Sequence, residues 1–102
     1  MLNFTQPLSY QDLAAIPAEE ILLAVRGFCA LGKGMHPESL KAVVLRLTRL
    51  SREMNLTQTA RDESAEMASL LANAALKTYG RHSNFSMDLL ASIEAIAGRS
   101  AA

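Results

Sequence analysis

Leu40, Val43, Val44, Leu47, Leu50 and Met54 recur at steps of three and four residues. A helix turns once every 3.6 residues, so that spacing places all six on one side of an α-helix. No segment alternates apolar and polar residues with the two-residue period of a half-buried strand, and β-branched residues are scattered. The chain is therefore expected to be all-α.

Proline, glycine and capping residues divide it further. Ser9 stands three residues before Asp12, the spacing of a capping box, with Leu8 and Leu13 at the staple positions around it. Pro17 ends this short first helix after about six residues and suits the first position of the next, where Glu19 and Glu20 favour the positive helix end. The second helix is read as residues 17–31, with Gly32 and Gly34 as its stop. Pro37 opens the third. The fourth runs from about Thr57 to Tyr79, with Thr59 and Asp62 as a second possible start, and Gly80 stops it. Ser86 is expected to cap the last helix, with Phe85 and Leu90 as its staple; Leu89, Leu90, Ile93, Ile96 and Ala97 give its apolar stripe, and Gly98 ends it. The result is a single domain over residues 1–102: a compact bundle of four main helices plus a short N-terminal one. Residues 1–8 and 99–102 are expected to be loose ends. Short connections favour antiparallel neighbours. Whether residues 37–79 form two helices or one bent helix is open at this level.

Helix four is apolar over more than half its circumference. One face carries Ala60, Met67, Leu71 and Ala74, and an adjacent one carries Ala65, Ala68, Ala72, Ala75, Leu76 and Tyr79. Such a helix is either the centre of its domain or part of an interface. Small residues let two helix backbones approach closely, which makes Ala68, Ala72, Ala75 and Tyr79 a candidate protein interface. Leu45 joins them, because the helix-three pattern places it among the cations Lys41, Arg49 and Arg52, on the side expected to be wet.

Ten Lys and Arg balance ten Asp and Glu, which excludes a globally basic nucleic-acid binder. The balance is uneven along the chain. Residues 1–25 carry three acids and no bases, residues 26–61 seven bases and two acids, and residues 62–102 three bases and five acids. A local basic face remains possible. Five aromatic residues and no Trp leave few stacking platforms for single-stranded nucleic acid. The single cysteine, Cys29, needs no oxidising compartment. The first sixteen residues contain no cation, so no secretory signal is expected. The longest apolar stretch, between Ile21 and Leu31, is broken by Arg26 and Gly27 and falls short of the ~20 residues a spanning helix needs. A cytoplasmic protein with no membrane partner is expected.

The chain offers little catalytic chemistry. Gly27 to Lys33 reproduces the Gly-x4-Gly-Lys spacing of a phosphate loop, but Gly34 stands where the magnesium-binding hydroxyl belongs, and the segment continues a helical apolar pattern. Cys29 lies within that helix and reads as a buried, inert thiol. His36 and His82 have no Cys or His at ligand spacing and read as loop or cap residues. The acids at Asp12, Glu19 and Glu20 are explained by helix starts. No catalytic residue, metal site or cofactor is predicted, and an enzyme is not expected.

Residues 50–61, Leu-Ser-Arg-Glu-Met-Asn-Leu-Thr-Gln-Thr-Ala-Arg, resemble the middle of a helix-turn-helix. The resemblance implies that Gln58, Thr59 and Arg61 face base edges, as Gln and Arg suit adenine and guanine. Arg46, Arg49 and Arg52 would then hold phosphates. Arg61 occupies a position such motifs give to an apolar residue, and Asp62, Glu63 and Glu66 follow at once. The leading expectation is therefore a small non-enzymatic protein-binding protein: an adaptor, inhibitor or regulatory subunit, self-associating as a homodimer through its helical surface. A DNA-binding transcriptional regulator is the alternative.

Overall fold

The computed structural model describes residues 2–31 and 34–101, with side-chain surroundings described for all of these except 29–31 and 97–101. Gly32, Lys33, the Cys29 thiol and the Ala97 side chain thus lie outside the described residues. Five helices follow one another: α1 (Tyr10–Ala14), α2 (Ala18–Leu31), α3 (Pro37–Leu50), α4 (Gln58–Tyr79) and α5 (Asn84–Ala101). The described residues contain no strand. The fold is all-α, and a Cα radius of gyration of 12.7 Å matches the roughly 13 Å of a compact chain of this length.

Local chemistry sets most helix starts. Ser9 Oγ accepts the N–H of Asp12, and the Asp12 carboxylate accepts the N–H of Ser9, completing the capping box. Pro17 stands one residue before α2, and its carbonyl accepts the N–H of Ile21. Pro37 opens α3, and His36 caps it by accepting the Glu38 N–H on Nδ1. Thr57, not Thr59, caps α4 through the Ala60 N–H. Gly80 ends α4 with φ at +85°, a conformation that disfavours any side chain. The cap of the last helix differs from expectation. Ser83 Oγ accepts the Ser86 N–H, so α5 begins at Asn84 and Ser86 is buried inside its first turn. The expected Phe85–Leu90 staple does not form at that register; Phe85 packs on Tyr79 at 4.7 Å between ring centroids, and Leu90 is exposed. Helix α5 also passes through Gly98 to Ala101, where a stop and a loose end were expected.

The centre of the molecule is α3, not α4. α1, α4 and α5 all pack on it, and eight of its side chains are buried, Ser39 and Leu45 among them. One core cluster joins Phe4, Leu13, Ile21, Val25, Val43 and Leu47; a second joins Leu40, Val44, Ala75 and Leu89. Two surfaces of α3 are thus dry, where the periodicity marks one. α4 turns Ala68 and Ala75 into the core and leaves Ala65, Leu70 and Ala74 exposed. Met54, placed on the α3 stripe by its spacing, is 83% exposed, because the helix ends at Leu50 and residues 51–57 turn away.

The N-terminal segment is fastened, not loose. Phe4 is 1% exposed and meets Phe28 edge-on at 5.5 Å. Its carbonyl accepts the N–H of His36 at 2.8 Å. The buried Ser39 hydroxyl donates to the carbonyl of Gln6 and accepts the N–H of Leu8. Backbone groups that would otherwise have to face water are satisfied on α3.

Candidate functional site

The residues singled out by the sequence fall into two groups, and tertiary packing changes the meaning of both. The small-residue face of α4 is inside the molecule. Ala68 and Ala75 are 8% and 0% exposed, and Ala72 and Tyr79 are half-buried against the second core cluster. α3 and α5 cover most of this face, leaving a depression of about 210 Å³ lined by Ala65, Ala68, Ser69 and Ala72 with Val44 and Ile93. Leu45 is covered as well, at 9% exposure. Its turn of α3 lies beneath α1, which the sequence does not place. Ala68 and Ala75 are thus core residues, corrected from the expected interface, while Ala72 and Tyr79 stay partly accessible and Leu45, though nearly covered, lines a groove.

The two-helix corner exists: α3 ends at Leu50, residues 51–57 turn, and α4 begins at Gln58. Its side chains, however, are engaged within the chain. Arg46 donates from Nε to the Leu13 carbonyl at 3.2 Å and from a terminal nitrogen to the Ile16 carbonyl at 3.1 Å, closing the C-terminal end of α1. Arg49 pairs with Glu53 at 3.9 Å. Gln58 donates to Asp62 at 2.8 Å and accepts from Arg61 at 3.0 Å, while Arg61 also reaches Met54 Sδ. Thr59 and Arg52 are exposed. Nearby, Arg26 of α2 grips Glu63 of α4 through two bonds of 2.5 and 2.6 Å. These bonds hold the Glu63 carboxyl below its ordinary range and raise the Arg26 guanidinium. Carboxylates meet Arg26 and Arg49, whereas Arg46 and Arg61 keep their charge but spend donors on neutral groups of the chain itself.

A different feature is open to a ligand. α1 and α5 flank α3 and leave between them a groove of about 580 Å³. Leu8 and Tyr10 line it from the α1 side, Ala42 and Leu45 from α3, and Phe85 and Ser92 from α5. The volume lies within the range of ordinary ligand sites, roughly 300–1,000 Å³. Lys41 and Asp88 form an ion pair at it, and Glu38 adds a second carboxylate. Asp12 is held against the groove residue Ser9, whose backbone N–H, and then whose hydroxyl, lower its carboxyl below the ordinary range. Periodicity does not reveal this groove, because its walls come from residues up to 84 positions apart. The only advance signal is Leu45, an apolar residue standing among cations.

Among the described residues no group of three His, Cys, Asp or Glu is placed to hold a metal ion, and no helix is long and apolar enough to cross a membrane. His36 is spent on its cap and His82 is exposed in the turn after α4. No protein-family model, no curated protein and no solved structure matches this chain.

Proposed function

We propose that the protein is a small non-enzymatic binding module that recognises another protein through the groove over α3. One observation carries the reading: a depression of about 580 Å³ in which Leu8, Tyr10, Leu45 and Phe85 stand beside the charged Glu38, Lys41 and Asp88. Protein grooves that take a partner's side chains combine an apolar floor with a polar rim in this way. Exposed apolar residues outside the groove, Leu23, Met54, Leu70, Met87 and Leu90, are distributed over α2, α4, α5 and the turn after α3. The reading favours a heterologous partner over a second copy, because Ala68 and Ala75 of the face that motivated self-association are buried within the chain. It also ranks protein above DNA, because Arg46 and Arg61 are committed inside the chain. The cytoplasm is the proposed setting, on the strength of one cysteine that calls for no disulfide.

Selection of displayed random peptides against the full chain tests the proposal. Convergent sequences should emerge and should fail to bind Ser92→Arg, in which a long side chain fills the groove. A selection that converges on nothing, or on peptides indifferent to Ser92→Arg, would sink it.

A further inference from the structure

Eight cationic side chains are described: ten Lys and Arg in the chain, less Lys33 and Arg99. Arg26, Lys41 and Arg49 meet carboxylates, Arg46 and Arg61 bond neutral oxygens, and Arg52 is engaged as well. Among the described residues, Lys77 and Arg81 are the two cations with neither an ion pair nor a side-chain hydrogen bond. They stand together. Asn73 and Lys77 are one turn apart on α4, and after the turn at Gly80 Arg81 lines the same depression of about 420 Å³. Ala74 and Leu76 complete its lining, and no carboxylate takes part. No Asp or Glu occurs between Glu66 and Asp88. The C-terminal end of α4 brings roughly half a negative charge, so two cations leave a surplus of about one and a half positive charges. Lys77 alone would complement that helix end; Arg81 exceeds what it needs.

We infer that this depression binds a small phosphate monoester, with its phosphate between Lys77 and Arg81 and its organic body on Ala74 and Leu76. The site is independent of the groove over α3. A guanidinium can give parallel N–H groups to two phosphate oxygens, an ammonium serves as a point charge, and the Asn73 amide can donate to a third oxygen. A phosphate monoester carries close to two negative charges near neutral pH, which suits the surplus better than a carboxylate does. Two cations can neutralise at most two phosphates of a nucleic acid, too few to hold one at ordinary salt. The lining comes from one nine-residue stretch, which favours a compact ligand over an extended chain.

Nuclear magnetic resonance of the isotope-labelled full chain at low salt tests the inference, with phenyl phosphate, inorganic phosphate and benzoate as probes. Phenyl phosphate should shift the amide signals of residues 73–82 saturably and should bind tightest of the three. Lys77→Gln and Arg81→Gln should each weaken it roughly fivefold, whereas Arg49→Gln, which removes a paired cation, should leave it unchanged. Circular dichroism of each variant verifies the fold. Benzoate binding as tightly as phenyl phosphate would overturn the phosphate, and inorganic phosphate binding as tightly would overturn the organic ligand. Tighter binding of a phosphoserine peptide than of phenyl phosphate would overturn the small ligand in favour of a phosphorylated protein. Shifts of equal size around Arg26 and Arg49, or no saturable shift at millimolar phenyl phosphate, would overturn the site itself.

Discussion

Arg46 donates to the carbonyl oxygen of Ile16 from 30 residues further along the chain, at 3.1 Å. With its second bond to Leu13, it serves as the C-terminal cap of α1, a helix too short to stand alone. It also explains why Leu45 is dry: α1 is held across the side of α3 that the cations would otherwise keep wet. Replacing Arg46 with Met keeps the stem and removes both bonds. We expect a loss of about 1–3 kcal/mol, since charge-assisted bonds to carbonyls exceed neutral ones. Hydrogen exchange should quicken in residues 10–16 before the rest. Unchanged exchange there would show that α1 is held by packing alone.

Ser39 and Ser64 are both buried serines with opposite importance. Ser39 bridges the carbonyl of Gln6 and the N–H of Leu8, whereas Ser64 bonds the carbonyl of Ala60 within its own helix. Ser39→Ala should cost about 1–3 kcal/mol by stranding buried backbone groups, and should release Phe4. Ser64→Ala should fall within about 1 kcal/mol of the parent, because that carbonyl is served by its helix. Chemical denaturation measures both, and equal losses would contradict the assignment.

Acid should weaken the chain at two identified places. The carboxyls of Asp12 and Glu63 are lowered by hydrogen bonding, from Ser9 and Arg26 respectively. A lowered carboxyl binds fewer protons in the folded state, so its contribution is full above the unfolded value near pH 4 and is lost as pH falls through the folded one. Asp12→Asn and Glu63→Gln should each flatten the acid limb of a stability profile below about pH 4 and leave its neutral slope alone. An unaltered acid limb in both variants would remove this account.

Ala75 and Leu70 lie on the same helix, one inside and one outside. Ala75→Arg forces a charge into the second core cluster and should unfold the chain or cost several kcal/mol. Leu70→Arg, at an exposed position, should change stability by less than about 1 kcal/mol. Thermal denaturation separates the two. A folded, monomeric Ala75→Arg protein arising from a dimeric parent would restore the α4 interface.

Mixed-sequence duplex DNA should show no retardation by this protein at low salt, because the corner presents few uncommitted cations. Retardation that weakens steeply with salt, with a slope equal to several phosphates, would reinstate DNA as the partner.

The helices and most of their starts were legible in the residues because they depend on neighbours three or four positions away. Ser9 with Asp12, Pro37, Thr57 and Gly80 each act within one turn. Ser83 was missed in favour of Ser86 because two serines three residues apart both suit a cap, and burial of Ser86 decides between them. The wetness of a helix face is not local. Leu45 and the α4 alanines differ from expectation because α1 and α5 close on α3 from distant parts of the chain. Their sequence patterns say that an apolar face must be covered, not what covers it. The amino-acid sequence thus determined an all-α chain cut into five helices, since periodicity and capping are short-range. Only the tertiary structure decided that α3 is the centre, that Arg46 is a cap and not a phosphate ligand, and that a groove opens between α1 and α5. Those outcomes follow from hydrogen bonds and packing between residues that only folding brings together.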